Sequence, residues 1–169
     1  MDALEGKGLL LTGTRRSLLS NLLVIVVAAD ASVAPKSASD LTKPEYKKIA
    51  LAEPQTVPAG IYAREYLQKR GLWDAIKEKV VPTETVRAAL AAVESGNVEA
   101  GFVYKTDSLI SKKVKVAVEI SVAEGPKISY PMAVLQFFRQ PERAKKLEDY
   151  LVGPAARQVF EKFGFIVVK

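Results

Sequence analysis

The amino-acid sequence predicts an α/β fold built around a mainly parallel sheet. Short apolar runs of strand length, such as residues 22–27 and 100–104, alternate with segments whose apolar residues recur at helical spacing. Strands that alternate with helices are typical of parallel sheets, because each helix returns the chain to the same edge. The 169 residues, 49% of them hydrophobic, are enough for one domain or for two small lobes that share a core.

Residues 18–29 form a long apolar run that admits two interpretations. Arg15-Arg16 before the run and Ala29-Asp30-Ala31 at its end imitate a secretory signal peptide with its cleavage site. Asn21 interrupts the run, however, and the apolar stretch over residues 22–27 has the length of a buried strand. The run is also shorter than the roughly 20 apolar residues that cross a bilayer. We therefore predict a strand and keep the signal peptide as the minor alternative.

A loop, a strand and a helix follow this run. Residues 30–43 are polar and rich in Ser, Ala and Lys, which indicates a loop, and residues 48–51 form a short strand. A helix begins at Pro58, because proline suits the first helical turn, and it ends at Gly71. The apolar stripe of this helix comprises Ala59, Tyr62, Ala63, Tyr66 and Leu67.

The next helix is predicted after a short helical turn over residues 72–79 and a link that ends at Pro82. Thr83 can cap this helix, and Gly96 ends it. Its buried face consists of residues at helical spacing, namely Val86, Ala89, Leu90 and Val93. Residues 100–104 and 114–118 then read as strands.

The C-terminal part is predicted to contain one strand and two helices. Residues 129–135 form the strand. One helix begins near Pro141 and is expected to bury Ala144, Leu147 and Leu151. The other begins near Pro154 and is expected to bury Val159, Phe160 and Phe163.

The absence of cysteine and histidine from the sequence excludes several classes of site. Disulfides, thiolate metal sites, histidine-liganded zinc and Ser-His or Cys-His nucleophile pairs all require one of these residues. An enzyme would depend on carboxylates, Lys, Tyr or Arg, and the sequence contains no recognisable pair of carboxylates or activated nucleophile. We therefore predict that the protein is not an enzyme.

The net charge of +6, from 25 Lys and Arg against 19 Asp and Glu, raises the question of nucleic acid. A nucleic-acid site gathers its basic residues on one face, whereas here they occur in short groups such as Lys112-Lys113 and Lys145-Lys146. No aromatic and basic RNA-binding signature accompanies them. We predict a solvated surface without a nucleic-acid partner, whose basic excess helps to attract an anion.

Three groups of neutral hydrogen-bond donors are expected at the carboxyl ends of the strands, where ligands bind in such sheets. They are the backbone N–H groups around Ala59, those around Val86, and the hydroxyl of Tyr104. The first N–H groups of a helix lack internal acceptors and carry partial positive charge, so they can hold an anion. Taken singly, each has an ordinary explanation as a helix start, a core residue or a packing tyrosine. Together they favour a fully ionised anion, whose oxygens all accept hydrogen bonds.

Several segments, in this order and spacing, resemble the molybdate-binding proteins of ABC importers. The segments that carry the resemblance are residues 53–63, Gly71-Leu72-Trp73-Asp74, Glu84-Thr85-Val86-Arg87, Gly101-Phe102-Val103-Tyr104, Tyr130-Pro131 and residues 160–165. The resemblance extends over nearly the whole chain. It implies a type II periplasmic-binding-protein fold, in which two α/β lobes joined by two crossing strands close on the ligand.

The resemblance also implies a function and a set of site residues. Members of this family are extracytoplasmic receptors that bind molybdate or tungstate and deliver it to a membrane permease. By this resemblance, Ala59 and Val86 donate backbone N–H groups to the oxyanion and Tyr104 donates its hydroxyl. Molybdenum or tungsten enters only as the oxyanion, and no other cofactor is implied.

The resemblance divides the chain at residues 28 and 127. Residues 1–28 are expected to hold a partial first lobe and the first crossing strand, and residues 29–127 a complete second lobe with a mainly parallel sheet. Residues 128–169 are expected to hold the return strand and the C-terminal helices of the first lobe. Residues 1–9 resemble an internal segment, so the chain looks like a member that lacks the signal peptide and the opening part of the first lobe.

Two expectations follow from that missing part. Binding of molybdate by this chain is expected to be weak or absent, because the donors of the first lobe are not found in it. Exposed strand edges are expected to cause a homodimer or a domain swap. The alternatives are a receptor for another tetrahedral oxyanion such as sulfate, a binding-defective fragment of such a receptor, and, further away, an enzyme that acts on phosphorylated or carboxylated substrates.

Overall fold

The computed structural model describes residues 1–168 and divides the chain into two compact units. Unit 1 consists of Met1–Asn21 and Ile128–Lys169, and unit 2 of Leu22–Lys127. Helices and strands occur in both units, which confirms the α/β class. The chain changes unit after residues 21 and 127, whereas the sequence placed the divisions at 28 and 127. The assignment of these units to the lobes of a closing receptor stays a prediction.

Unit 2 is built on a five-stranded sheet with the order β4-β3-β5-β2-β6. Its strands are β2 (Leu23–Ala28), β3 (Ile49–Ala52), β4 (Val80–Thr83), β5 (Ala100–Tyr104) and β6 (Val114–Glu119). Strand β3 pairs in parallel with β4 and β5, whereas β2 pairs antiparallel with both β5 and β6. Four of the five strands therefore run in the same direction, as a mainly parallel sheet predicts, and β2 alone runs in the opposite direction between β5 and β6.

Strand β2 lies inside the sheet and is the apolar run that could also be read as a signal peptide. Its residues 23–27 are buried, with at most 1% of each exposed. A strand covered on both faces and paired on both sides requires such a continuous apolar sequence. The strand interpretation of this run is confirmed.

The helices of unit 2 are α2 (Pro58–Lys69), α3 (Trp73–Ile76), α4 (Val86–Glu94) and α5 (Lys105–Ser108), with 3₁₀ turns at Ala38–Thr42 and Lys77–Lys79. The first of these turns lies within the segment expected to be a loop. Helix α4 buries Ala89, Leu90 and Val93 against β3 and β5, as its spacing predicted, whereas Val86 of the predicted face is half-buried. The predicted ends of α2 and α4 are also correct, since Gly71 and Gly96, which follow these helices, both adopt a positive φ.

The sequence did not predict strand β4, because Pro82 looked like part of a link. The strand nevertheless pairs with β3 over four residues, and its position at the edge of the sheet explains how proline is tolerated. An edge strand has one side without a partner, where a missing N–H group costs nothing.

Unit 1 contains a small antiparallel sheet with the order β7-β1-β8. Its elements are β1 (Arg16–Ser20), β7 (Tyr130–Met132), β8 (Ile166–Val167), α1 (Asp2–Gly6), α6 (Pro141–Val152) and α7 (Pro154–Lys162). The expected burial of Leu147, Val159 and Phe163 is wrong, since 58%, 52% and 59% of these residues is exposed. Helical spacing showed which face is apolar, but strands of two to five residues offer too little surface to cover it.

Candidate functional site

Three neighbouring parallel strands of unit 2, β4, β3 and β5, end at one edge of the sheet. Ala52 pairs with Thr83 at the ends of β3 and β4, and Tyr104 is the last residue of β5. Each predicted site residue follows one of these ends, because α2 begins after β3, α4 begins after β4, and Tyr104 closes β5. The structure therefore brings Ala59, Val86 and Tyr104 to the edge at which such sheets bind ligands.

The start of α2 is held against the strand ends by backbone hydrogen bonds. The N–H group of Glu53 donates to the carbonyl oxygen of Thr83 at 2.8 Å, and that of Val57 donates to Glu53 at 3.0 Å. Pro58 is the first helical residue, and no side chain caps the helix. The N–H groups of Ala59 and Gly60 have no acceptor within the helix, so they remain the donors that the sequence predicted.

Gly60 allows α2 to approach the end of β3 backbone to backbone. A Cβ atom at this position would lie 1.9 Å from the carbonyl oxygen of Ala52 and 2.7 Å from that of Glu53. Only a residue without a side chain fits so close to two main-chain oxygens. The glycine thereby sets where the first N–H groups of the helix stand.

The start of α4 is capped by Thr85 and not by Thr83, which corrects the prediction. The hydroxyl oxygen of Thr85 accepts from the N–H group of Ala88 at 3.1 Å. The hydroxyl of Thr83 is instead within donating distance of the carbonyl oxygens of Leu51 (3.3 Å) and Thr85 (3.0 Å), which ties β4 to the turn. The cap leaves the N–H groups of Val86 and Arg87 without an acceptor inside the helix.

Tyr104 stands at the junction between β5 and the short helix α5. The residue is half-buried, and the next backbone N–H, that of Lys105, donates to the carbonyl oxygen of Leu22 at 2.9 Å. Earlier in β5, a Cβ on Gly101 would lie 2.8 Å from Cγ2 of Val93, so α4 packs closely on this strand. The strand that carries Tyr104 and the helix that begins with Val86 are thus held together.

Charged residues flank these donors, and the sequence interpretation did not single out their role. Arg87 follows Val86 in α4, and Asp107 lies three residues after Tyr104. Burial raises the pKa of Asp107, while the positive charge of Arg87 and a backbone hydrogen bond from Tyr104 lower it. Lys105 forms a salt bridge with Glu119 of β6, with Nζ and Oε2 2.8 Å apart. An acidic residue in the first turn of a predicted helix would have been the signal to find Asp107.

This arrangement suits the recognition of an anion better than that of a metal cation. Its donors are main-chain N–H groups at two helix starts and a phenol hydroxyl, all neutral. Within residues 1–168, no group of three or more His, Cys, Asp or Glu residues could hold a metal ion. The role of Ala59, Val86 and Tyr104 in binding stays a prediction.

A comparison with models of protein families assigns the chain to one family. The family model described as bacterial extracellular solute-binding protein matches residues 1–166. The chain belongs to this family. Its members bind solutes, which supports the prediction that the protein is not an enzyme. The structure also has, within the residues it describes, no helix long and apolar enough to cross a membrane.

Individual relatives agree with this assignment. The chain is 40% identical to the molybdate-binding protein ModA of Escherichia coli (strain K12) over 173 residues, which cover 99% of this chain and 66% of that protein. A solved substrate-binding domain from Clostridium difficile has a TM-score of 0.90 at 37% identity and covers 100% of this chain and 73% of the other. These matches confirm the resemblance to molybdate-binding proteins.

A more distant structure supports the fold. The periplasmic molybdate-binding protein of Azotobacter vinelandii has a TM-score of 0.80 at 20% identity, with 99% of this chain and 74% of the other covered. Such a likeness concerns the architecture alone and agrees with the predicted type II periplasmic-binding-protein fold. The chain spans 56–66% of the length of the curated relatives it matches.

Proposed function

We propose that the protein is part of the substrate-binding component of an ABC importer for molybdate or tungstate, and that unit 2 supplies one side of the oxyanion site. The observation that carries this proposal is the convergence of Ala59, Val86 and Tyr104 on the carboxyl ends of three adjacent parallel strands. The relatives named for molybdate binding add support, because two of them match nearly the whole chain.

The donors fit a fully ionised tetrahedral anion for a chemical reason. Molybdate and tungstate carry no proton at neutral pH, so every oxygen accepts hydrogen bonds. The first turns of α2 and α4, which contain Ala59 and Val86, present N–H groups with partial positive charge. A tyrosine hydroxyl can donate as well. An anion that keeps a proton would need an acceptor beside it, and these three groups act as donors. The net charge of +6 favours its approach.

A receptor for another tetrahedral oxyanion, such as sulfate, is the second candidate. The same neutral donors would serve sulfate, so pocket size rather than charge has to distinguish the two. A competition experiment, in which sulfate is added to protein that already holds molybdate, distinguishes these two candidates by which anion displaces the other. A third candidate, a binding-defective fragment of such a receptor, predicts no effect of either anion.

The partner implied by this function is a membrane permease, and the location implied is extracytoplasmic. Both come from the family and from the relatives rather than from a feature of unit 1 or unit 2. Nucleic acid is not among the proposed partners, because the basic residues are dispersed among acidic ones.

The proposal is tested by titration of nitrogen-15-labelled protein with molybdate, tungstate and sulfate, followed by amide NMR. We expect the amide signals of Ala59, Gly60, Val86 and Arg87 to shift together with molybdate. We also expect weak binding, since a chain that spans part of its relatives supplies part of the donors. A version with the full length of the relatives should bind tightly. Tight binding by the present chain would contradict the expectation of a half-site, and unmoved amides would overturn the proposed function.

The variant Tyr104→Phe tests the hydroxyl donor. Loss of one neutral hydrogen bond of about 0.5–1.5 kcal/mol should weaken binding about two- to tenfold. Tyr150→Phe is the matched control, because Tyr150 is 61% exposed on α6 in unit 1. Equal affinity of both variants would remove Tyr104 from the site.

A further inference from the structure

Thr83, the last residue of β4, connects the starts of α2 and α4 through hydrogen bonds. On the side of α2 the connection is made by the main chain. The carbonyl oxygen of Thr83 accepts from the N–H group of Glu53 at 2.8 Å. The carbonyl oxygen of Glu53 in turn accepts from the N–H group of Val57, the N-cap residue of α2, at 3.0 Å. Two main-chain hydrogen bonds in series therefore attach the start of α2 to the end of β4.

On the side of α4 the connection is made by the hydroxyl of Thr83. Its oxygen lies 3.0 Å from the carbonyl oxygen of Thr85, the N-cap residue of α4, and 3.3 Å from that of Leu51 in β3. A hydroxyl carries one proton, which these two acceptors share. The carbonyl oxygen of Thr85 also accepts from the N–H group of Ala89 in α4 at 3.1 Å. The side chain of Thr83 thus joins the N-cap of α4 to the inner strand β3.

The position of Thr83 in the sheet explains why a side-chain link matters there. Strand β4 is an edge strand, paired with β3 on one side, and its ladder ends at the pair Ala52 and Thr83. Beyond this pair, residues 84 and 85 lead into α4 without belonging to a strand. The hydroxyl of Thr83 spans this turn, because its acceptors lie on β3 and at residue 85. It therefore limits how far the start of α4 can move from the sheet.

We propose that Thr83 is a positioning residue of the oxyanion site, which fixes the spacing between the main-chain donors at Ala59 and those at Val86. Its carbonyl group holds the start of α2, and its hydroxyl holds the start of α4. This inference rests on the proposed function, because it concerns the alignment of two groups of oxyanion donors. A site made of separate donors gains affinity when the donors are preorganised, since ordering them on binding costs free energy. Thr83 does not touch the anion and acts through the two helix starts.

The test compares Thr83→Val, Thr83→Ser and Thr42→Val in the full chain. Valine keeps the branched shape and the main-chain carbonyl group at position 83 but removes the hydroxyl, whereas serine keeps the hydroxyl. Thr42 is the matched control, because its hydroxyl also donates to a carbonyl oxygen of unit 2, that of Ser39 at 2.8 Å. This bond lies within the 3₁₀ turn Ala38–Thr42 and joins neither helix start.

The first arm measures nitrogen-15 relaxation of the backbone in the absence of any anion. The order parameters of Val86 and Arg87 should fall in Thr83→Val, because the start of α4 gains freedom of motion on the picosecond to nanosecond timescale. The order parameter of Ala59 should stay as in the unaltered chain, because the main-chain bond to the start of α2 is retained. The serine variant and the control should leave all three order parameters unchanged.

The second arm measures molybdate affinity in the same variants by amide titration. Thr83→Val should weaken binding about two- to tenfold, the factor that corresponds to one neutral hydrogen bond. Thr83→Ser should restore most of the affinity. Thr42→Val should leave the affinity unchanged, although it removes a hydrogen bond of the same kind. Urea unfolding of each variant verifies that the compared proteins are folded.

The two arms distinguish the failure of this inference from the failure of the proposed function. If the unaltered chain binds molybdate, full affinity of Thr83→Val overturns the inference, because Thr83 then only stabilises the turn. Weaker binding with unchanged order parameters also overturns it, since the hydroxyl would then act on the anion directly. An equal loss of affinity in Thr42→Val has the same consequence. If the unaltered chain does not bind, the proposed function fails and the alignment of its donors fails with it.

Thr83→Ala is the second variant if Thr83→Val does not fold. Alanine leaves room for water to satisfy the carbonyl oxygens of Leu51 and Thr85 without holding them at a fixed distance. The same weakening of molybdate affinity and the same loss of order at Val86 are expected. Full affinity of the alanine variant would overturn the inference in the same way.

Discussion

The carbonyl oxygen of Ala52 fills the space in which a side chain at Gly60 would begin, since a Cβ atom there would lie 1.9 Å from it. We predict that Gly60→Ala destabilises the protein by about 1–3 kcal/mol, because helix α2 must move away from β3. Chemical denaturation measures this loss. Gly6→Ala is the control, since a Cβ atom at Gly6 meets no atom within 4 Å, and it should change stability by less than about 0.5 kcal/mol. Equal stability of both variants would contradict the close contact.

Lys79 closes the 3₁₀ turn Ala38–Thr42 with its side chain. Its ammonium group donates to the carbonyl oxygens of Leu41, Thr42 and Lys43 at 3.0, 2.8 and 2.8 Å. We predict that Lys79→Met lowers the free energy of unfolding by about 1.5–3 kcal/mol, the range for hydrogen bonds to a charged group.

The matched control for this prediction is Lys77→Met. Lys77 forms an exposed ion pair with Asp74, so its replacement should cost less than about 1 kcal/mol. Thermal and urea unfolding of both variants would give the comparison. A smaller effect at Lys79 than at Lys77 would show that the three carbonyl contacts do not contribute.

Asp40 should make the stability of unit 2 sensitive to acid. The side chain of Lys43 and the backbone N–H groups of Lys36 and Ser37 lower the pKa of Asp40 from 3.8 to about 2. A carboxylate whose pKa is lower in the folded than in the unfolded state stabilises the protein at any pH above its unfolded-state pKa. This contribution is lost as the pH falls from about 4 to about 2. We therefore expect Asp40→Asn to be less stable at neutral pH and to lose less on acidification. Parallel pH profiles of the two proteins would count against this coupling.

Unit 1 exposes large apolar residues that should promote self-association. Six of them lie on α6 or α7, shortly before α6 or directly after α7, and 52–80% of each is accessible: Leu135, Phe137, Leu147, Tyr150, Val159 and Phe163. Large apolar side chains exposed in such number can form contact sites or aggregation-prone patches. We predict a homodimer or a domain swap, which light scattering over a range of concentrations detects.

The matched pair for this measurement is Phe137→Asp and Val122→Asp. Both residues are strongly exposed, at 80% and 65%, but Val122 belongs to unit 2. Only Phe137→Asp should reduce the association. A monomer at every concentration would refute the prediction.

Local patterns in the sequence were sufficient to predict the type of several elements. The face of α4 followed from its spacing, and the buried strand β2 followed from an uninterrupted apolar run. The pairing of β2 between β5 and β6 could not be predicted, because strand order depends on contacts distant in sequence. Strand β4 was missed for the same reason, since proline is excluded from inner strands and tolerated only at an edge that the sequence does not reveal.

The sequence was sufficient to predict those residues of the candidate site that lie at the start of a helix or at the end of a strand. Ala59, Val86 and Tyr104 were located by helix starts and a strand end, and their elements lie where the sequence placed them. The cap by Thr85 was not predicted, because the choice between two nearby threonines depends on the geometry of the turn. Spacing alone does not specify it.

Two of the three proposed donors belong to the main chain, and this has a consequence for how the site tolerates mutation. An N–H group is present whatever side chain residue 59 or 86 carries, with proline as the sole exception. Substitutions at these positions that fit the surrounding packing should therefore leave recognition intact, whereas Tyr104 and Gly60, in the first turn of α2, should be the sensitive positions. In a screen of random variants, substitutions that abolish binding should occur more often at residues that position the backbone than at the residues that donate the N–H groups.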